Sequence, residues 1–201
     1  MILVGELALW VALLLATWAA IVSFAGGMQG RSDLIASGER GIRATLAMLL
    51  LASLGVWSAL VAHDLSLAHV ASFTAANLPL VYTLAAFWGG PAGALLLFAL
   101  LLSVCAAAVT IGGRGRSKRS NPYVTGTLAI VLAVAVALLC LGVNPYERVE
   151  WGALDGRGMN PILQSTGMIL HPPILYAGLA CTAAPFALTS AALLARRLDG
   201  E

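Results

Sequence analysis

Five apolar stretches, near residues 6–26, 43–63, 91–112, 123–143 and 170–194, are each long enough to cross a bilayer as a helix. The hydrocarbon core is about 30 Å thick and takes roughly 20 helical residues. This pattern constrains the fold more than any other feature. In lipid no backbone polar group can stay unpaired, so each span must be a helix or part of a closed barrel. The alternation at period two that a barrel requires is absent. The expectation is an all-α polytopic membrane protein forming a single transmembrane domain over residues 1–201, with outer loops at 64–90 and 144–169. Composition agrees: 60% of residues are hydrophobic and 10% are charged, against about a quarter charged in an ordinary soluble chain. A net charge of +2, with no basic stripe among aromatics, excludes a nucleic-acid partner and leaves the lipid bilayer as the first.

Lysine and arginine set the orientation. Arg31, Arg40 and Arg43 lie in the first loop, and Arg114, Arg116, Lys118 and Arg119 in the third. Arg196 and Arg197 end the tail, so these three regions hold nine of the eleven positive charges. The second loop has none, and the fourth has Arg148 and Arg157. The N-terminus is therefore expected outside and the C-terminus inside. The first stretch is preceded by no positive residue and contains Glu6, which reads as a span rather than a cleaved signal peptide.

All three histidines, His63, His69 and His171, then fall on the outer side. The second loop is too long for a turn and too apolar for a solvated linker. It reads as an interfacial segment between the second and third helices, with Phe73, Tyr82, Phe87 and Trp88 in the aromatic belt. The fourth loop carries turn chemistry at Asp155-Gly156-Arg157-Gly158.

His171-Pro172-Pro173 opens the fifth span. Two prolines suit a first helical turn, and they favour an extended His171 just ahead of the helix. That would present the imidazole from a stiff backbone, either as a metal or heme ligand or as an interfacial helix-start residue. His63 and His69 read as interfacial histidines. Cys105, Cys140 and Cys181 lie within spans, form no CxxC pair and read as packing residues. No ionisable residue lies deep in a span, so a pump acting alone has no pathway.

Two blocks carry a resemblance. Residues from Asp155 to Gly178 contain Asn160-Pro161, Gln164, His171-Pro172-Pro173, Leu175-Tyr176 and Gly178. They resemble the G-x-x-L-N-P-L-L-Q…H-P-P-x-L-Y-x-G segment of the CcmF heme lyase family. Asn77-Leu78-Pro79 to Tyr82, then Trp88-Gly89-Gly90, Gly93 and Leu95-Leu96-Leu97, are similar to its L-P-x-x-Y and W-G-G-x-x-G-S-L-L-L run. The exit from the last span through Arg196-Arg197-Leu198-Asp199 also matches.

The resemblance implies a subunit of a cytochrome c maturation complex that holds heme at the outer membrane face for attachment to CxxCH of an apocytochrome c. His171 would be one axial ligand of the heme iron. Arg157 is a candidate for the propionates, and Tyr176, Asn160 and Gln164 are candidates to orient the imidazole. The heme would be b-type in transit and shared with partners. Those would be a membrane chain bearing the tryptophan-rich loop and a second outer histidine, a heme-delivery protein, and the apocytochrome. The setting would be the cytoplasmic (inner) membrane or an equivalent organellar one. Where the family reads W-G-G-H-E-G-S, this chain has Pro91-Ala92 for the His-Glu and Ala94 for the serine. The chain resembles the N-terminal third of the family and offers half a site, so it is not expected to be catalytic alone. The alternative reading is a structural or docking subunit without heme contact.

Overall fold

The structure, a computed structural model, describes residues 1–113, 121–150 and 154–195. Arg114, Arg116, Lys118 and Arg119, and likewise Arg196, Arg197 and the tail after them, lie outside the described residues.

The protein is a helical integral membrane protein. Long helices run over Ile2–Gln29 (α1) and Ser32–Val61 (α2), with two short ones at Ala68–Phe73 (α3) and Leu80–Ala85 (α4). Pro91–Gly112 (α5) and Asn121–Leu141 (α6) follow, and the chain ends in Thr166–Cys181 (α7) and Ala183–Leu194 (α8). Five segments are long and apolar enough to span: α1, α2, α5, α6, and Ile169–Leu194 across α7 and α8. Among the described residues the extended pairing is a single bridge, Leu67 to Arg148.

The second span is longer than its apolar stretch. Arg40 and Arg43, expected in a loop, are helical residues of α2, and the first connection shrinks to Gly30 and Arg31. Hydropathy marks only the part of a helix inside hydrocarbon; backbone hydrogen bonds continue past that limit at no extra cost. The turn is closed by Gly30, whose φ of 68° lies in the left-handed region that glycine enters freely. The Arg31 amide returns to the Gly26 carbonyl at 3.0 Å.

α1 and α2 run side by side along small residues. A Cβ on Gly38 would stand 2.1 Å from Ser23 Oγ and 3.3 Å from Ala19 O, so a larger residue there would crowd the buried Ser23 side chain of α1. α6 touches α1, α5 and α8, and α7 packs on α5. Ile42, Leu49, Leu96, Leu102, Leu128, Leu132 and Leu139 are fully buried between these helices.

The fifth span differs most from expectation. His171, Pro172 and Pro173 do not start it. α7 begins at Thr166, and His171 is helical, with both prolines inside the helix. In an apolar setting, leaving five residues extended would strand more backbone groups than the two N–H groups that proline removes. α7 and α8 meet at Thr182, whose φ of −66° and ψ of −20° keep the span on a helical course.

Candidate functional site

The second and fourth loops form one folded cap over the end of the bundle that carries the histidines. The Ala68 amide donates to Glu147 O at 2.9 Å and the Val149 amide to Ser66 O at 2.9 Å. Further along, the Arg157 amide donates to Ala71 O at 2.8 Å and the Gly158 amide to Thr74 O at 3.0 Å. The Asp155 carboxylate accepts from the Ala76 amide at 3.0 and 3.1 Å through its two oxygens. Gly158 has φ 76°. Gly156 lies so close to α3 that a Cβ would stand 2.1 Å from Thr74 O.

Within this cap, one of the second loop's four aromatic residues departs from the aromatic-belt reading. Phe87 is fully buried, not in an aromatic belt. Its ring stacks on Trp57 with centroids 4.5 Å apart, and Trp57 Nε1 donates to Leu84 O at 3.3 Å. Phe73, Tyr82 and Trp88 are half-buried against the core. His69 is also a core residue, 5% exposed, and its Nε2 lies 3.1 Å from Ala86 O. That carbonyl accepts, so Nε2 carries the proton. Burial pushes the imidazole pKa below its usual value, opposed by hydrogen bonds to the Ala86 and Phe87 backbone. His63 closes α2 with φ 50°, its ring nitrogens 3.2 Å from Ala75 O and 3.3 Å from Val61 O.

His171 has a different environment. It sits on the exposed face of α7. Among the described residues it is the histidine whose ring makes no hydrogen bond. Tyr176, five residues on, is about 140° around the helix from it and packs half-buried on the core. Asn160 Oδ1 accepts from the Ile162 amide at 3.0 Å, and Gln164 Nε2 donates to Met159 O at 3.0 Å. These two bonds, with buried Met159, tie down the turn that leads into α7. Asn160, Gln164 and His171 therefore share one short run of chain, while Arg157 is anchored by its backbone on α3.

Sequence reasoning missed Tyr146. It belongs to the fourth loop yet is 1% exposed, and its hydroxyl donates to the Ala52 carbonyl inside the bundle. Burial and the nearby Glu6 raise its pKa. The signal available was Asn144-Pro145-Tyr146: the Tyr146 amide donates to Asn144 Oδ1 at 2.9 Å, an Asx turn that aims the ring inward. Beside it, a cleft of about 350 Å³ is lined by Glu6, Cys140, Asn144, Glu147 and Arg148. Of the three cysteines Cys140 is buried, whereas Cys181, expected to be a packing residue, is exposed.

No protein-family model matches the chain. The cytochrome c-type biogenesis protein CcmF of Pseudomonas aeruginosa is 33% identical over 196 residues, which is 97% of this chain and 30% of the relative. The protein of the same name from Escherichia coli is 38% identical over 146 residues, 71% of this chain and 22% of the relative. Among solved structures, a cytochrome c heme lyase CcmF superposes with a TM-score of 0.82 at 22% identity, over 98% of this chain and 31% of that one. At that identity the superposition speaks for the fold. The chain spans between about a fifth and a third of the length of the relatives it matches.

Proposed function

Because the chain is homologous over nearly its whole length to cytochrome c-type biogenesis proteins of the CcmF type, we propose that it acts in c-type cytochrome maturation. In this reading it holds heme at the outer face of the inner membrane while the porphyrin is joined to an apocytochrome c. The observation that carries the reading is the contrast among the histidines. The rings of His63 and His69 are occupied by backbone carbonyls, while His171 presents an exposed imidazole without such a partner among the described residues.

Heme is the substrate in transit, and its iron accepts a neutral imidazole nitrogen as an axial ligand. One imidazole fits one axial position. His171 fills it from α7, where Pro172 and Pro173 stiffen the backbone and α5 backs the helix. The second axial ligand, and the surface over which heme lies, come from a partner membrane chain or segment with its own outer histidine and tryptophan-rich loop. A heme-delivery protein and the apocytochrome complete the assembly. Arg157, on the same capped end, is positioned by Ala71 and takes a propionate. Asn160 and Gln164 hold the approach to α7, and Tyr176 fixes its rotation by packing inward. The chain is one part of a multi-subunit lyase and performs no chemistry alone.

The test is the absorption spectrum of the complex isolated from native membranes through a non-histidine tag, wild type against His171→Ala. The expected outcome is a low-spin heme spectrum in wild type that is lost or becomes high-spin in the variant. An unchanged spectrum, with normal cytochrome c yield, would overturn the ligand assignment.

A further inference from the structure

α1 and α6 pack antiparallel. The Phe24 ring lies 6.0 Å from that of Tyr123 at one end, and Glu6 shares a cleft with Cys140 at the other. Between these ends the seam opens outward as a groove of about 440 Å³. Large side chains wall it, Leu13, Ile21 and Phe24 from α1 with Ile130 and Val134 from α6. Small ones line the rest, Ala20, Ala133 and Ala137. Its polar member, Thr17, donates its hydroxyl to Leu13 O at 2.8 Å, so the lining leaves no polar group in need of a partner.

From Leu13 to Phe24 the groove runs about 16 Å along the helix axis, and its volume over that length gives a channel about 6 Å wide. A transmembrane helix, about 10 Å across, is too broad for it. A single hydrocarbon chain is not, and one leaflet of the hydrocarbon layer is about 15 Å deep, close to the length of the groove. The cleft of about 350 Å³ lined by Glu6, Glu147 and Arg148 opens on the same seam. Its Cys140 is less than one turn of α6 from Ala137 of the groove. Among the described residues the ion pair is Arg31 with Asp33. Two carboxylates and a guanidinium therefore stand without ion pairs at the head of an apolar channel.

We propose that the seam between α1 and α6 binds one phospholipid of the leaflet on the capped side, with a primary-ammonium headgroup of the phosphatidylethanolamine kind. One acyl chain fills the groove, the ammonium lies between Glu6 and Glu147, and the phosphate meets Arg148. A primary ammonium carries three N–H donors, enough for both carboxylates; a trimethylated headgroup carries none. A lipid with a phosphate and no amine would bring a further negative charge to two carboxylates with nothing to balance it. Charge complementarity thus selects the headgroup, and the width of the channel excludes a helix. The inference is independent of whether His171 ligates iron.

The test reconstitutes the full chain, with the partners that accompany it, into vesicles of phosphatidylethanolamine and phosphatidylglycerol in equal amounts, then extracts and weighs it by native mass spectrometry. One phosphatidylethanolamine should stay bound, favoured about tenfold over phosphatidylglycerol, the worth of one hydrogen bond to a charged group. With phosphatidylcholine in place of phosphatidylethanolamine the preference should vanish. Glu6→Gln combined with Glu147→Gln, both outside the core, should erase it as well, and Ala133→Phe, which fills the groove, should remove the bound lipid. Equal retention of the two lipids, a preference for phosphatidylglycerol, an equal preference for phosphatidylcholine or no retained lipid would each overturn the proposal. So would a preference that survives the paired glutamine variant, which leaves every buried residue in place and decides the matter if Ala133→Phe fails to fold. A His171→Ala chain should hold the lipid as wild type does, so a failed heme assignment would leave this site standing.

Discussion

The Tyr146 hydroxyl donates to the carbonyl of Ala52, three residues before Gly55 on α2. The ring enters a notch made by two glycines. A Cβ on Gly5 would stand 2.0 Å from the Tyr146 oxygen, and one on Gly55 2.4 Å from it. A loop residue thus locks α1 to α2 at the capped end.

Tyr146→Phe removes one buried hydrogen bond to a carbonyl that keeps its own helix partner, a cost of about 0.5–1.5 kcal/mol. Gly55→Ala forces the ring out of its notch and costs about as much as overpacking elsewhere, ~1–3 kcal/mol. Thermal unfolding of the purified chain in detergent should give a lower Tm for both. A Gly55→Ala protein as stable as wild type would contradict the notch.

His69 makes the cap sensitive to acid. Its folded pKa is depressed by burial, so below the usual imidazole value of about 6.5 the unfolded cap binds a proton that the folded cap resists. The contribution is complete above that value and is lost as pH falls from it through the folded pKa. Hydrogen exchange over residues 63–90 should therefore quicken between neutral pH and pH of about 5, and His69→Gln should flatten the dependence. Exchange independent of pH after correction for intrinsic rates would refute this.

Asp155 ties the fourth loop to the second. Asp155→Ala leaves the Ala76 amide without its carboxylate, a loss of about 1–3 kcal/mol for a charged acceptor. Limited proteolysis should then cut near residues 74–77 and 154–158 sooner than in wild type, with the spans intact. Gly156→Ala should act similarly, through its clash with Thr74 O. Unchanged cleavage in both variants would mean that the loops are held elsewhere.

The orientation predicted from the positive charges is checked by fusing reporters to each end. An alkaline phosphatase at the N-terminus should be active and one at the C-terminus inactive, with a fluorescent protein giving the opposite pattern. The reverse result would put the histidine-bearing cap in the cytoplasm and remove the proposed role of His171 at the outer face.

The five spans were legible because lipid leaves the backbone no choice but helix, so hydropathy alone locates them. Their limits were less so. Arg40 and Arg43 look like loop residues by charge, although a helix is free to run on into the headgroup region. The His171-Pro172-Pro173 string reads locally as a helix start; the preceding turn from Thr166 becomes visible only when the backbone is counted in an apolar environment. Phe87 and His69 read as interfacial because their burial depends on pairing between residues far apart in sequence, such as Ser66 with Val149. Tyr146 was hidden for the same reason: nothing near it in sequence points to glycines at positions 5 and 55. The motif around His171 was found by pattern, while the occupied rings of His63 and His69, which single it out, emerge only from the fold.

The two-residue connection at Gly30 and Arg31 bears on how this protein comes to be assembled. Helices joined so tightly make contacts between near neighbours in the chain, and such low-order contacts close fastest. α1 and α2 can pair as soon as both have left the ribosome, entering the bilayer as a hairpin whose glycine notch is still empty. Tyr146 is translated only after two further spans. The first pair formed therefore waits for the fourth loop to finish it.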